Sequence, residues 1–491
     1  MRALRWQWRH RLSGKTLLVG YRKSPLLLLL LLTMASAFAA LAEDSSRQAI
    51  RLPTPPAARQ SSTFEQPRQD HVATGLAVTD NLDVAPHLPG IRVTRVMSFR
   101  AFMHELEGSN LDLAAQRYNV PIAAAQADAA GVHPDPIIQG AYGTDISHQD
   151  QGTQYSPGIT QTVLLGGKIK ARRRLAHSLL ESSKAQLTDF VRNLRAQAAN
   201  AFVDGLAGQL VVRRREKGLR RAQQLVLFNE KRKHTGGVAE SEFLRSRLAA
   251  LQAGDDLLNA QSALQQALVD LTVLLGRPAR EGLVVPVGNL DIQPRKFDLE
   301  VLVAQALTSR GDVVAARRAV EAATAQYKLV LTNRVPDVTL GVNYTHYTQV
   351  TNPIDPVPAW NLLALSLSIP IPLSSLNRGQ LEAARYTERQ DEIQLEALML
   401  RAETQVRGSY EQYILARTAV EQYATELVGD ANKVYKARLY RMEHGEASLL
   451  DVLDAHHAVN DVYLGYYAAL TAQAKSLIAL EQAAGIWDID F

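Results

Sequence analysis

The chain has 491 residues, 54 Lys and Arg against 49 Asp and Glu, and no cysteine. Such a length fills several domains or one unusually extended structure. The lack of cysteine excludes disulfides, thiolate metal sites, a cysteine nucleophile and a lipidated cysteine. A mildly basic balance, with no basic stripe interleaved with aromatics, gives no support to a nucleic-acid partner.

Residues 1–42 read as an export signal. Arg2, Arg5, Arg9, Arg11, Lys15, Arg22 and Lys23 precede the apolar run Leu26 to Leu32, and small residues end at Ala40-Leu41-Ala42. Cleavage is expected after Ala42; the competing reading is a membrane anchor. Residues 43–97, with Pro53, Pro55 and Pro56, read as an extended segment rather than a packed domain.

A first repeat spans 98–287 and a second 288–486, leaving a tail at 487–491. In the first, Ser98 can cap a helix holding Phe99, Phe102, Met103 and Leu106, and Asn110 or Asp112 can start another through Ala130. In the second, Asp298 precedes Leu299, Leu302, Val303 and Ala306, and Asp312 starts a helix through Leu331. Both copies then reach Pro-Asp, at Pro134-Asp135 and Pro336-Asp337, where helix must stop.

Alternation of period two follows each Pro-Asp. Val338, Leu340, Val342 and Tyr344 share one face, and Leu363, Leu365, Leu367 and Ile369 alternate with small or polar residues. The first copy offers Ile138, Tyr142 and Ile146, then Ile159 and Val163. Each copy thus holds a hairpin of strands roughly ten residues long, the length that crosses a membrane. A half-buried sheet in a soluble domain gives the same pattern.

Long helices come next. No proline occurs from about Gly167 to Lys233, and Leu180, Leu187 and Leu194 recur at sevens. After Gly236-Gly237 the sevens resume at Leu257, Leu264 and Leu271. The second copy runs from about Gly379 to Glu443, breaks at Gly445, and continues from Leu449 to Ala484. A helix of 65 residues extends roughly 100 Å, which is coiled-coil territory. Setting Gly236 against Gly445 also sets Gly276 against Gly485, and Glu242 opposite Asp451, so one register argues for internal duplication.

Four strands cannot close a barrel, and an open edge in lipid leaves backbone groups unsatisfied. Strands from several chains must therefore combine, with the helical hairpins continuing the wall as a tube. This order of helix, strand hairpin and long helical hairpin resembles the TolC family of outer-membrane efflux proteins. So do Leu165-Gly166-Gly167-Lys168 and Gly445 followed by Asp451-Val452-Leu453-Asp454-Ala455. The first of those strings also looks like the family's metal-cation efflux branch.

The resemblance implies a mainly α fold with a transmembrane β-barrel: a homotrimer with twelve strands and a periplasmic coiled-coil tube. It implies a periplasmic adaptor (membrane fusion) protein, an inner-membrane efflux pump and outer-membrane lipid as partners. It implies no cofactor and no catalysis. By position, Asp451 and Asp454 would ring the closed end, with Glu242 at the first repeat's acidic position and Gly236, Gly237 and Gly445 in the tips that meet the adaptor. A ring of carboxylates favours cations; the other reading of the pair is favourable charge at a helix start.

Gly167 and Gly379 are read as strand-to-helix turns. His456-His457 could touch a metal, though solvent-facing histidines are commoner. Gly166-Gly167-Lys168 fails as a phosphate loop, because Thr162 and Ile169 stand where Gly and Ser/Thr are required. No HExxH, GxSxG or GxGxxG stands in a fitting context. A type I protein-secretion duct is the alternative within the fold, and a soluble periplasmic coiled-coil adaptor or scaffold the alternative outside it.

Overall fold

The computed structural model of the protein describes residues 93–144, 152–235, 238–349, 357–371, 377–444 and 446–491. The export signal, most of the 43–97 segment, and Gly236, Gly237 and Gly445 lie outside these described residues. The end of that segment is not unpaired: Val93–Ser98 is strand β1. It runs parallel to β4 (Leu283–Val287), with Val96 opposite Val285 and Ser98 opposite Val287. The run Leu-Val-Val-Pro-Val is the local signal for β4; its proline fits an edge position.

Helix α1 (Phe99–Ser109) buries Phe99, Phe102, Met103 and Leu106, the i, i+3, i+4, i+7 stripe of an amphipathic helix. The single helix expected to Ala130 is instead two, α2 (Leu111–Arg117) and α3 (Asn119–Ala129). Pro121 explains the division. It has no N–H to give to Arg117, so it is tolerated only in the first turn of a new helix. The second copy is tidier: Asp298 caps α6 (Leu299–Ser309) by accepting from the Glu300 and Val301 amides, and α7 (Gly311–Thr332) follows.

Strands β2 (Ile137–Thr144), β3 (Thr153–Val163), β5 (Val338–Tyr347) and β6 (Trp360–Ser368) form one antiparallel sheet in the order β2-β3-β5-β6. The first hairpin therefore pairs with the second across β3 and β5, leaving β2 and β6 as edges.

From this sheet run the long helices α4 (Lys168–His234), returning as α5 (Glu240–Leu274), and α8 (Arg378–Gln422) with α9 (Val428–Glu443), returning as α10 (Leu449–Ala484). At 67 residues α4 extends about 100 Å. The helix expected without interruption to Glu443 contains a π turn, Tyr423–Leu427, between α8 and α9. Tyr423 there presses against α10 at Gly465, where a Cβ would lie 2.6 Å from the tyrosine hydroxyl. Gly276 and Gly485, set against each other as helix stops, are both left-handed at φ 69° and 72°.

Near the sheet the helices stand in the order α3, α4, α7, α8, matching their strands; further away the order is α5, α4, α10, α9. The core lies where these two zones meet. Phe202 of α4 packs edge-on to Phe99 at 5.3 Å, and Phe99 meets Phe491 at 4.8 Å, so the 487–491 tail folds back into the core. Arg310, 3% exposed, is satisfied there by Asp312 at 2.7 Å, the Gln405 amide and the Ala483 carbonyl, both at 3.0 Å.

Candidate functional site

The sheet has two chemically different faces. Register places Ile138 beside Ile159, Ile159 beside Val342, and Val342 beside Leu365; Leu340 pairs with Leu367, and Tyr344 with Leu363. Every one of these side chains is exposed, Ile138 at 83% and Leu365 at 81%. The opposite face, apart from Ile137, Ala141, Leu362, Ala364 and the stacked rings of Tyr347 and Trp360, carries hydroxyls, amides and glycines. Ser156 bonds to Thr345 at 2.9 Å, Thr162 to Thr339 at 3.1 Å, and the Gln139 amide donates to Asn343 at 3.1 Å. None of the four strands contains Asp, Glu, Lys or Arg. A contiguous apolar face beside a neutral polar one is the pattern of a wall between lipid and water.

Where the sheet joins the helices, Gly167 is the left-handed N-cap of α4, at φ 73°. Gly379 is not its counterpart: it lies in the first turn of α8, and Asn377 takes the left-handed conformation at φ 55°. Asparagine is among the residues that tolerate that region. The two sequence motifs at this level meet directly. Lys168, 5% exposed, reaches Asp337 of the second Pro-Asp at 2.6 Å, and the same carboxylate accepts from the Leu165 amide.

At the far end, Asp451 occupies the third position of α10 in a capping box. Its carboxylate accepts from the Ser448 hydroxyl at 2.8 Å and amide at 3.1 Å, while its own amide donates to the Ser448 hydroxyl at 3.3 Å. These bonds, with Arg438 and Arg441 nearby, hold its carboxyl below the usual aspartate range. The helix-start reading of Asp451 is therefore realised within one chain. Asp454, one turn on, is exposed; Glu242 is half-buried in the first turn of α5. Met442, Leu449, Val452 and Leu453 form a small core here, against Leu225 of α4 and Ala249 of α5, so both hairpins end together.

A cavity of about 220 Å³ sits above this core between α4, α5 and α10, and the sequence reading did not find it. Arg214, Arg215, Asp256, His456, His457, Asn460 and Asp461 contribute to its lining. Arg215 is paired with Asp256 at 2.7 Å. Arg214, 6% exposed, stacks over the Tyr463 ring at 4.0 Å, and its Nε and Nη2 have no hydrogen-bond partner. His456 is buried beside Tyr435 and Asn460; burial, with Arg221, His457 and Arg214 nearby, lowers its pKa to about 4. Among the described residues no three His, Asp or Glu converge as metal ligands, and two arginines lining this cavity oppose a cation.

A family model described as outer membrane efflux protein matches residues 102–277 and 302–486. The cobalt-zinc-cadmium resistance protein CzcC of Cupriavidus metallidurans is 23% identical, over 78% of this chain and 89% of its own length. The pyoverdine export outer membrane protein OpmQ of Pseudomonas putida is 25% identical, over 77% and 84%. The fold matches solved CusC with a TM-score of 0.67 at 18% identity, covering 79% of this chain and 92% of that one. It matches VceC of Vibrio cholerae with a TM-score of 0.64 at 18% identity, covering 79% and 95%.

Proposed function

The chain belongs to the outer membrane efflux protein family, and from that premise we propose that it is the exit duct of a tripartite pump. An inner-membrane transporter and a periplasmic adaptor feed it from below, and the leader is removed after Ala42. Three copies of the four-stranded sheet close a barrel of twelve strands in the outer membrane. The helical hairpins continue that wall into the periplasm.

The observation that carries this reading is the sheet itself. It has two unpaired edges and a largely exposed apolar face, and it stands at one end of helices about 100 Å long. A soluble adaptor has no use for such a face, which in water would be an aggregation surface. The uncharged inner wall supports a passage that does not sort by charge at the barrel, so selection falls to the other end.

There the acidic pair acts as the gate. Arg438, 4.0 Å from the Asp451 carboxylate, offsets its charge, so Asp454 carries the larger part of the field that favours cations. The cargo is small molecules or metal cations chosen by the pump; relatives named for cobalt-zinc-cadmium resistance and for pyoverdine export support a duct common to different cargoes. In planar bilayers, Asp451→Ala with Asp454→Ala is expected to bring the cation-to-anion permeability ratio toward one and to weaken block by polyvalent cations. Asp454→Ala alone should account for most of the change. Reversal potentials identical to wild type in the double variant would remove the gate from this reading.

A further inference from the structure

Three arginines of this chain present the same edge of the guanidinium, Nε and Nη2, to a carboxylate. Arg310 places them on the two oxygens of Asp312, at 3.0 and 2.7 Å. Arg192 brings both to one oxygen of Asp189, and Arg195 both to one oxygen of Glu107, each at 2.9 and 2.6 Å. That edge is the planar fork with which arginine recognises a pair of anionic oxygens. Arg214, 6% exposed, has the same edge bare: its Nε and Nη2 are buried and meet no acceptor.

Arg214 stands in the wall of the cavity between α4, α5 and α10. The space exists because small residues face it, Gly218 and Ala222 from α4 and Ala249 and Ala253 from α5. The acidic residues of the lining do not neutralise Arg214. Asp256 is taken by Arg215 at 2.7 Å, and Asp461 is exposed. Arg221, two turns along α4, adds a further positive charge over the Tyr435 ring. Together Arg221 and Arg214 help to depress the pKa of His456, as a positive field does. The Asn460 oxygen is also buried without a partner, while its amide nitrogen lies 3.4 Å from the His456 ring. A half-turn of that amide gives the oxygen to a His456 N–H and leaves the Asn460 N–H groups free to donate.

We propose that this cavity binds a compact oxyanion, phosphate or sulfate, held by the bare edge of Arg214 and by the Asn460 amide. At about 30 Å³ per water, the space takes such an anion together with a few waters. Water alone offers neutral oxygens and leaves a buried positive charge without a counter-charge, which is costly. An oxyanion supplies two acceptors in one plane and the charge as well. It ties α4 to α10, one helix from each hairpin, beside the small core of Met442, Leu449, Val452 and Leu453. All of its contacts come from a single chain, so the site holds whatever cargo the duct carries.

Sodium phosphate and sodium sulfate, titrated into the purified chain in detergent, test this by melting temperature. Such salts strengthen apolar burial in any protein, so the comparison that counts is with Arg214→Met. At ten times the half-saturating concentration wild type should gain at least about 2 °C more than that variant. Calorimetric titration of phosphate should find one site per chain in wild type and none in Arg214→Met. Ala253→Leu, which fills the cavity and leaves Arg214 in place, should lose the same gain. Equal gains in wild type and Arg214→Met, with no calorimetric site in either, would overturn the proposal and leave the cavity to water. Binding that survives Ala253→Leu would overturn the cavity as its place. Chloride at the same ionic strength should give less; a full gain from chloride would overturn the oxyanion.

Discussion

His456 is buried without a charged partner of opposite sign, facing Arg214 and Arg221 of α4, Tyr435 of α9 and His457 of its own helix. Its pKa falls from 6.5 to about 4, chiefly through burial. An unfolded chain binds this proton first as pH falls, so the folded form loses stability between about pH 6.5 and 4. The loss approaches about 3 kcal/mol. His456→Leu should flatten that part of the curve, measured as melting temperature against pH in detergent; a curve parallel to wild type would refute it. Arg214 and Arg310 are equally buried, yet only Arg310 meets carboxylate and carbonyl oxygens on its donors. Two guanidinium nitrogens left without acceptors cost more than one stacked ring returns. Arg214→Met is therefore expected to stabilise by about 1 kcal/mol, read from the unfolding midpoint, and a destabilised variant would contradict the argument.

Among the elements, the junction between sheet and helices is held by Lys168 and Asp337, one from each half of the chain. Removing one partner of a buried pair leaves the other charged and unpaired. Asp337 is 28% exposed, so Asp337→Ala should cost about 2 kcal/mol rather than the larger figure for full burial. Lys168→Met combined with Asp337→Leu should recover most of it. Melting of the purified oligomer reads both, and a double variant no better than the single would sink the pairing. The lengths of α4, α5 and α10 were legible because unbroken runs of helix formers end at glycine and proline. The β1–β4 pair was not, since five or six residues carry too little periodicity and their partners lie nearly 190 positions apart. The π turn was also missed: it coincides with Tyr423 meeting Gly465 on another helix, a contact that local pattern does not contain. Gly379 misled for a related reason, because Asn377 can adopt the left-handed turn that glycine was expected to supply.

For the molecule as a whole, alternation after each Pro-Asp foretold four strands, and they form one open sheet with β2 and β6 at its edges. Which strands would neighbour each other depended on contacts between the halves and required the coordinates. The acidic pair and the cavity beside it differ in how they show in the sequence. The spacing of Asp451 and Asp454 marked one face of a helix start, and their gate role came only from the family resemblance, whereas the cavity lined by Arg214, Asp256 and His456 draws residues from three helices and leaves no mark in any one segment.

The π turn also sets the azimuth of everything beneath it. One additional residue in a helix advances the facing direction of all later side chains by about 100°. Tyr413 thus looks toward the core while Val434, about two turns past the irregularity, is exposed. Drawing the wide turn at Tyr423–Leu427 into ordinary α-helix, with no residue removed, would leave both halves helical and swing Ala431 and Val434 out of phase, uncoupling the orientation of the mouth from that of the body by rotation alone.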